Sequence, residues 1–215
     1  MHIPLRIRKP NVRIYILCLT AVQREEVSQI YKQYSWAVPI IMKYQDCTFE
    51  NAFWKQLLEL NQEWRSCDMV GTLSSTAHHK RNLAYIDRII CRGRWPSGYY
   101  NFFDGVNPIT NDHPHMLTIV NDVCTTLRMK KPTVSYCNYW MCSPVKMEKF
   151  IAWALNSLIP TVLAHPLAMT DAMYEGRMTP DELMNLCGVP YYPHVPFVLE
   201  RLTKGFFTTL NVTGP

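Results

Sequence analysis

The chain has 215 residues, 48% of them hydrophobic and 18% charged, with a formal net charge of +5. Those proportions exclude a disordered chain, and the length suffices to bury one core. The positive excess is mild and dispersed, so it argues against nucleic acid, which wants a basic stripe, and suits an anionic small molecule.

The first eleven residues read as a basic lead-in: Arg6, Arg8 and Lys9, with Arg13 just beyond, lie within eight residues. "MHIPLRIRKPNVR" has the charge of a signal peptide but no apolar region and small-residue cleavage site behind it, so the expected compartment is the cytoplasm. "VRIYILCLTAV", 12–22, is a β-branched apolar run, the pattern of a buried strand in a parallel sheet. Residues 23–34 carry Val27, Ile30 and Tyr31 at helical spacing, and "AVPIIMKY", 37–44, is a second strand. The chain therefore opens β–α–β. A helix is expected over 48–64, capped by Thr48, with Phe53, Leu57 and Leu60 on its apolar face. "CDMVGTL", 67–73, is a third strand.

Residues 81–115 are rich in Arg, Gly, Pro and aromatics, and their turn signals predict long loops. "HMLTIVNDVCTTL" predicts a helix and "TVSYCNYWMCS" a strand, after which Ser143-Pro144 opens another helix as cap and first residue. "FIAWALNSLIPTVLAHPLAM", 150–169, has the length of a membrane span. Pro160, Pro166, Asn156, Ser157 and His165 argue instead for a buried helix ending near Pro160. Thr179 and Glu182 form a capping box for a helix over 179–188, and "PFVLERLTKGFF" is the last helix, before a tail over 208–215. The sum is a single α/β domain of three layers around a mostly parallel sheet. Its ligands are expected at the carboxyl ends of the strands.

Eight cysteines form no CxxC pair and several lie in apolar runs, which predicts free thiols and no zinc cluster. There is no GxGxxG, no P-loop, no Gly-x-Ser-x-Gly and no His-Glu-x-x-His. Thr20 and Ala21 end the first strand where a nucleotide-binding domain receives base or ribose, although small residues end ordinary strands too. The third strand runs into "SSTAHHK", where Ser74, Ser75, Thr76, His78, His79 and Lys80 offer hydroxyls, imidazoles and a cation. With no carboxylate among them, these groups suit a pyrophosphate better than Mg²⁺ or Mn²⁺; the alternative is a solvated loop. In "NDHPH", Asp112, His113 and His115 could ligate a metal, but no further ligand stands near. Glu200, beside Arg201 among apolar residues, is a candidate buried base, and Asp171 a weaker one. Arg177 could pair with a phosphate or carboxylate.

Three stretches in order, "FENAFWKQLLELNQEWRSCDMVGTLSSTAHHK", "YCNYWMCSPVKMEKFIAWALNSL" and "PFVLERLTKGFF", resemble the glycosyltransferase-like domains of capsular polysaccharide synthesis. The likeness is closer to the rhamnosyltransferase-like domains encoded by large DNA viruses of algae, and with the first strand it covers most of 12–207. It implies a GT-A-like (Rossmann-like) inverting transferase that moves a sugar, L-rhamnose by this likeness, from a UDP-sugar to a glycan hydroxyl in the host cytoplasm. The donor would lie over Thr20, Ala21 and Arg24. The family's Asp-x-Asp, which holds Mn²⁺, is replaced here by Ser74, Ser75, Thr76, His78, His79 and Lys80, which implies phosphate binding with no cation required. Glu200 falls where inverting members keep the general base, Lys80, His78, His79 and Arg81 would stabilise the leaving diphosphate, and the aromatic stretch 95–103 could stack on sugar faces. Two alternatives stand beside this. One is a retaining enzyme dependent on Mn²⁺ or Mg²⁺, with Asp104, Asp112 or a histidine as ligand. The other is a non-catalytic nucleotide- or glycan-binding module of the same fold.

Overall fold

A computed structural model describes residues 9–60, 62–95, 97–103, 112–132 and 137–209. β1 (Val12–Cys18), β2 (Ala37–Ile41), β3 (Met69–Ser74), β4 (Tyr99–Asn101) and β5 (Trp140–Cys142) form one sheet in the order β2-β1-β3-β5-β4. β1 pairs in parallel with β2 and β3, while β5 runs antiparallel to β3 and to β4. Four strands thus point one way and β5 runs against them. The expected mostly parallel sheet is there; the strand predicted over 133–143 is its antiparallel member, with 133–136 outside the described residues.

Alternation along β1 sorts the core into the two faces of the sheet. Tyr15 and Leu17 face a cluster with Val70, Trp140 and Cys142, covered by Phe53, Trp54 and Leu57 of α2 (Phe53–Glu59), by α6 (Pro144–Trp153) and by Phe206 and Phe207 of α9 (Val195–Thr209). Ile14, Ile16 and Cys18 face the other way, onto Val27 and Tyr31 of α1 (Ala21–Tyr31) and Ile86, Ile89 and Ile90 of α4 (Leu83–Arg92). Helix, sheet and helix make the three expected layers. A third cluster joins α5 (Met116–Thr126), α7 (Ile159–Leu163) and α9 outside the sheet.

Three expectations about elements are corrected. The region 81–115 is not all loop: α3 (Ala77–Lys80) is followed by α4, capped by Asn82, whose Oδ1 accepts the N–H groups of Ala84 and Tyr85 at 2.9 and 3.2 Å. The helix over 48–64 is broken. Thr48 does not cap it; a 3₁₀ turn over Phe49–Ala52 precedes α2, which stops where Leu60 turns extended, and a second 3₁₀ turn covers Gln62–Ser66. Pro160 does not end the helix begun at Pro144. A π turn over Ala154–Leu158 joins α6 to α7, and Pro160 falls in the first turn of α7, where its missing N–H costs little. The capping box of α8 (Pro180–Cys187) forms as expected. Among the described residues no helix is long and apolar enough to cross a membrane, and all eight cysteines are free thiols.

Candidate functional site

β1 and β3 end side by side, with the chain after β2 beside them, and a cavity of about 610 Å³ opens over these carboxyl ends. Its floor is Leu17, Leu19, Thr20, Met42, Ser74 and Ser75, and its roof comes from Arg177 and Met178 and from Glu182, Asn185 and Leu186 of α8. Thr20 stands here because it caps α1: its hydroxyl accepts the Gln23 N–H at 3.1 Å. Ser74 and Ser75 are held by the end of β3, with the Ser75 N–H donating to the Leu17 carbonyl at 3.1 Å. The Ser74 hydroxyl lies 3.2 Å from that of Thr76 and shares a further hydrogen bond with the Tyr139 hydroxyl. The hydroxyls of Thr20, Ser74, Ser75 and Thr76 and, from the roof, Arg177 can hydrogen-bond phosphate oxygens.

One end of the cavity is acidic. Asp46 accepts the Thr48 N–H at 2.8 Å and the Phe49 N–H donates to the Asp46 carbonyl at 2.9 Å. This turn forces Phe49 to φ +52°, a conformation bulky residues rarely adopt, and strain of that kind gathers at functional sites. Phe49 lines the cavity and stacks on Tyr192 at 5.8 Å, and the next residue, Glu50, also lines the cavity. Burial pushes the Glu50 carboxyl up to about 7, and the negative charge of Glu200 adds to the rise; Lys80 and a hydrogen bond from Asn138 oppose it. Glu200 is also raised, chiefly by burial, against the pull of Arg201, the Cys137 N–H (3.2 Å from its Oε2) and Lys80. Four segments far apart in sequence therefore meet around one carboxylate pair.

The predicted site residues divide. Thr20, Ser74, Ser75 and Thr76 line the cavity. Glu200 does not, but its charge reaches Glu50, which does. Lys80 sits beside the pair, with Nζ 3.9 Å from Cys137 Sγ and 5.9 Å over the Tyr139 ring. His78 packs edge-on to Tyr31 at 6.3 Å, and burial lowers its pKa; His79 stacks on it at 3.8 Å and is exposed. Arg81 lies 3.6 Å over the Phe103 ring, and Ala21 and Arg24 are exposed on α1 outside the cavity. Asp171 is spent in a turn: its Oδ1 accepts the Met173 N–H at 2.7 Å. Asp112 pairs with Arg201 at 3.4 Å, His113 bonds the Ala172 carbonyl at 2.9 Å, and His115 precedes α5. Asp104 lies outside the described residues.

Sequence reasoning missed Glu50, Asn138 and Tyr139, and of the roof it named as a binding residue only Arg177. Only an acidic residue opening a 3₁₀ turn beside Asp46 could have marked Glu50. Asp46 is engaged by Thr48, and Glu182 by the Thr179 N–H at 2.7 Å. Among the described residues, no three His, Cys, Asp or Glu side chains stand where they could share an ion. No family model, curated protein or solved structure matches the chain.

Proposed function

We propose that this chain is an inverting glycosyltransferase that takes a nucleotide-sugar, a UDP-sugar by the sequence resemblance, and passes the sugar to a hydroxyl of a glycan. One observation carries the reading. A cavity large enough for such a donor lies over the carboxyl ends of parallel strands, lined by the hydroxyls of Ser74, Ser75 and Thr76, by Arg177 and by Glu50, whose carboxyl feels the charge of Glu200. The base would rest on the apolar floor of Leu17, Leu19 and Met42. The diphosphate would take hydrogen bonds from Ser74, Ser75 and Thr76 and charge from Arg177. As the acceptor oxygen attacks the anomeric carbon, the bond to the diphosphate breaks and a carboxylate of the pair takes the acceptor's proton.

Thermal unfolding against UDP, other nucleoside diphosphates and UDP-sugars tests this, in chelator and with Mn²⁺. A ligand at about 100 times its Kd adds roughly 2.7 kcal/mol, and the expected result is a rise in Tm with UDP compounds in chelator. No rise with any nucleotide overturns the reading. A rise that needs Mn²⁺ moves the metal-dependent retaining alternative ahead. Binding without transfer or donor hydrolysis identifies a binding module.

A further inference from the structure

We propose that Glu50 is the acid–base group of this cavity, and that Glu200, behind it, together with Lys80, sets when it holds a proton. The assignment of roles rests on the transferase reading. The acid–base pairing itself does not.

Position separates the two carboxylates. Glu50 lines the cavity beside Phe49 and Ser74, so a bound hydroxyl could reach it, while Glu200 is not among the lining residues. Glu200 instead accepts the Cys137 N–H, a bond that fixes it and satisfies one oxygen. The groups facing Glu50 come from three segments. Glu200 on α9 repels its charge, Lys80 on α3 attracts it, and Asn138 donates to it. The Cys137 thiol, pushed up to about 12, and the Tyr139 hydroxyl, also raised by burial, stay neutral around it. Asp46, Glu182 and Arg177 stand further along the same cavity.

Asn138 supplies a second, independent observation. It is fully buried, its Nδ2 donates to Asn51 Oδ1 at 3.4 Å, and its Oδ1 has no partner among the described residues. A buried carbonyl oxygen left bare is costly, and a protonated Glu50 carries the O–H that could satisfy it. Burial and the charge of Glu200 both favour the protonated form of Glu50.

In transfer, the ionised Glu50 takes the proton from the acceptor O–H, the oxygen bonds to the anomeric carbon, and the bond from that carbon to the diphosphate oxygen breaks with its electron pair. The proton then leaves Glu50 for solvent through the open cavity. The rate should rise with pH through about 7, as Glu50 ionises. Removing the Glu200 charge should move that limb toward the ordinary carboxylate range.

The test uses the full chain with ¹³C-labelled glutamate carboxyls, assigned with Glu50→Gln. The expected result is that the Glu50 resonance titrates near neutrality in the wild type and at least one pH unit lower in Glu200→Gln. With a donor that raises Tm, Glu50→Gln should cut transfer 100-fold or more and leave the Tm rise intact, whereas Glu200→Gln should shift the acid limb of the rate profile to lower pH. A Glu50 that titrates as an ordinary carboxylate overturns the proposal, as does a Glu50→Gln enzyme with wild-type transfer. A chain that transfers nothing removes the transferase reading, and the titration alone then decides the pairing.

Discussion

A carboxyl whose folded pKa is raised stabilises the fold on the acid side. Glu50 titrates near 4.5 in an unfolded chain and near 7 in the folded one. Between those values the folded chain holds the extra proton, so stability falls as pH rises through the window and the full loss is present above about 7. Glutamine is neutral at every pH and of the same shape. Glu50→Gln should therefore match the wild type near pH 4 and exceed it at pH 8, by at most ~3 kcal/mol, and by less because solvent reaches this partly buried group. Urea unfolding of both proteins at the two pH values measures it. Stability curves that stay parallel would show that Glu50 is an ordinary solvated carboxylate. Lys80 sets the lower bound of the same effect. It is exposed, and its attraction for the pair weakens with salt, so added salt should widen the gap between variant and wild type at pH 8.

The elements show how far a single sequence can be read. β1, β2, β3, α1, α8 and α9 were legible because their apolar periods and caps agree: the floor of the cavity and the capping box of α8 were visible before the fold was. α4 was not read, although its signals are local. Ile86, Ile89 and Ile90 repeat at helical spacing, Asn82 caps it, and Gly93 ends it at φ +61°. Its surroundings of Arg, Gly, Pro and aromatics outweighed them. Asn82→Ala tests the cap directly. It leaves the N–H groups of Ala84 and Tyr85 without their acceptor and should cost about 1 kcal/mol in chemical unfolding. A cost near zero would mean that water serves those groups equally well. The break in the helix over 48–64 was not legible for a different reason. It depends on the left-handed turn at Phe49, which nothing in that residue type favours.

At the scale of the molecule, the parts of the site that escaped the sequence are those made by long-range assembly. Glu200 and Lys80 stood out as charged residues in suggestive settings. Glu50 is one of many glutamates until the fold brings residues 50, 80, 138 and 200 together, and the capping box of α8 marks a helix at the roof without placing it over the cavity. That roof is also the least anchored part of the cavity. Of α8 only Leu183 is buried, whereas every residue of β3 is buried and β1 is nearly so. What ties the preceding chain down is Tyr192: its hydroxyl accepts the Met178 N–H at 2.9 Å, and its ring packs on Gly176 so closely that a Cβ there would collide with it. Segments with few buried apolar contacts open at lower free energy than the sheet they cover. Amide hydrogen exchange should accordingly be much faster across α8 than in β1 and β3. If UDP binds as proposed, it should slow exchange in α8 and leave the strands unchanged, because Arg177 and Asn185 line the same cavity. Gly176→Ala, which forces Tyr192 aside, should weaken UDP binding while the unfolding midpoint of the free protein moves little. Exchange across α8 as slow as in β3, with or without nucleotide, would show a roof fixed in place over the cavity.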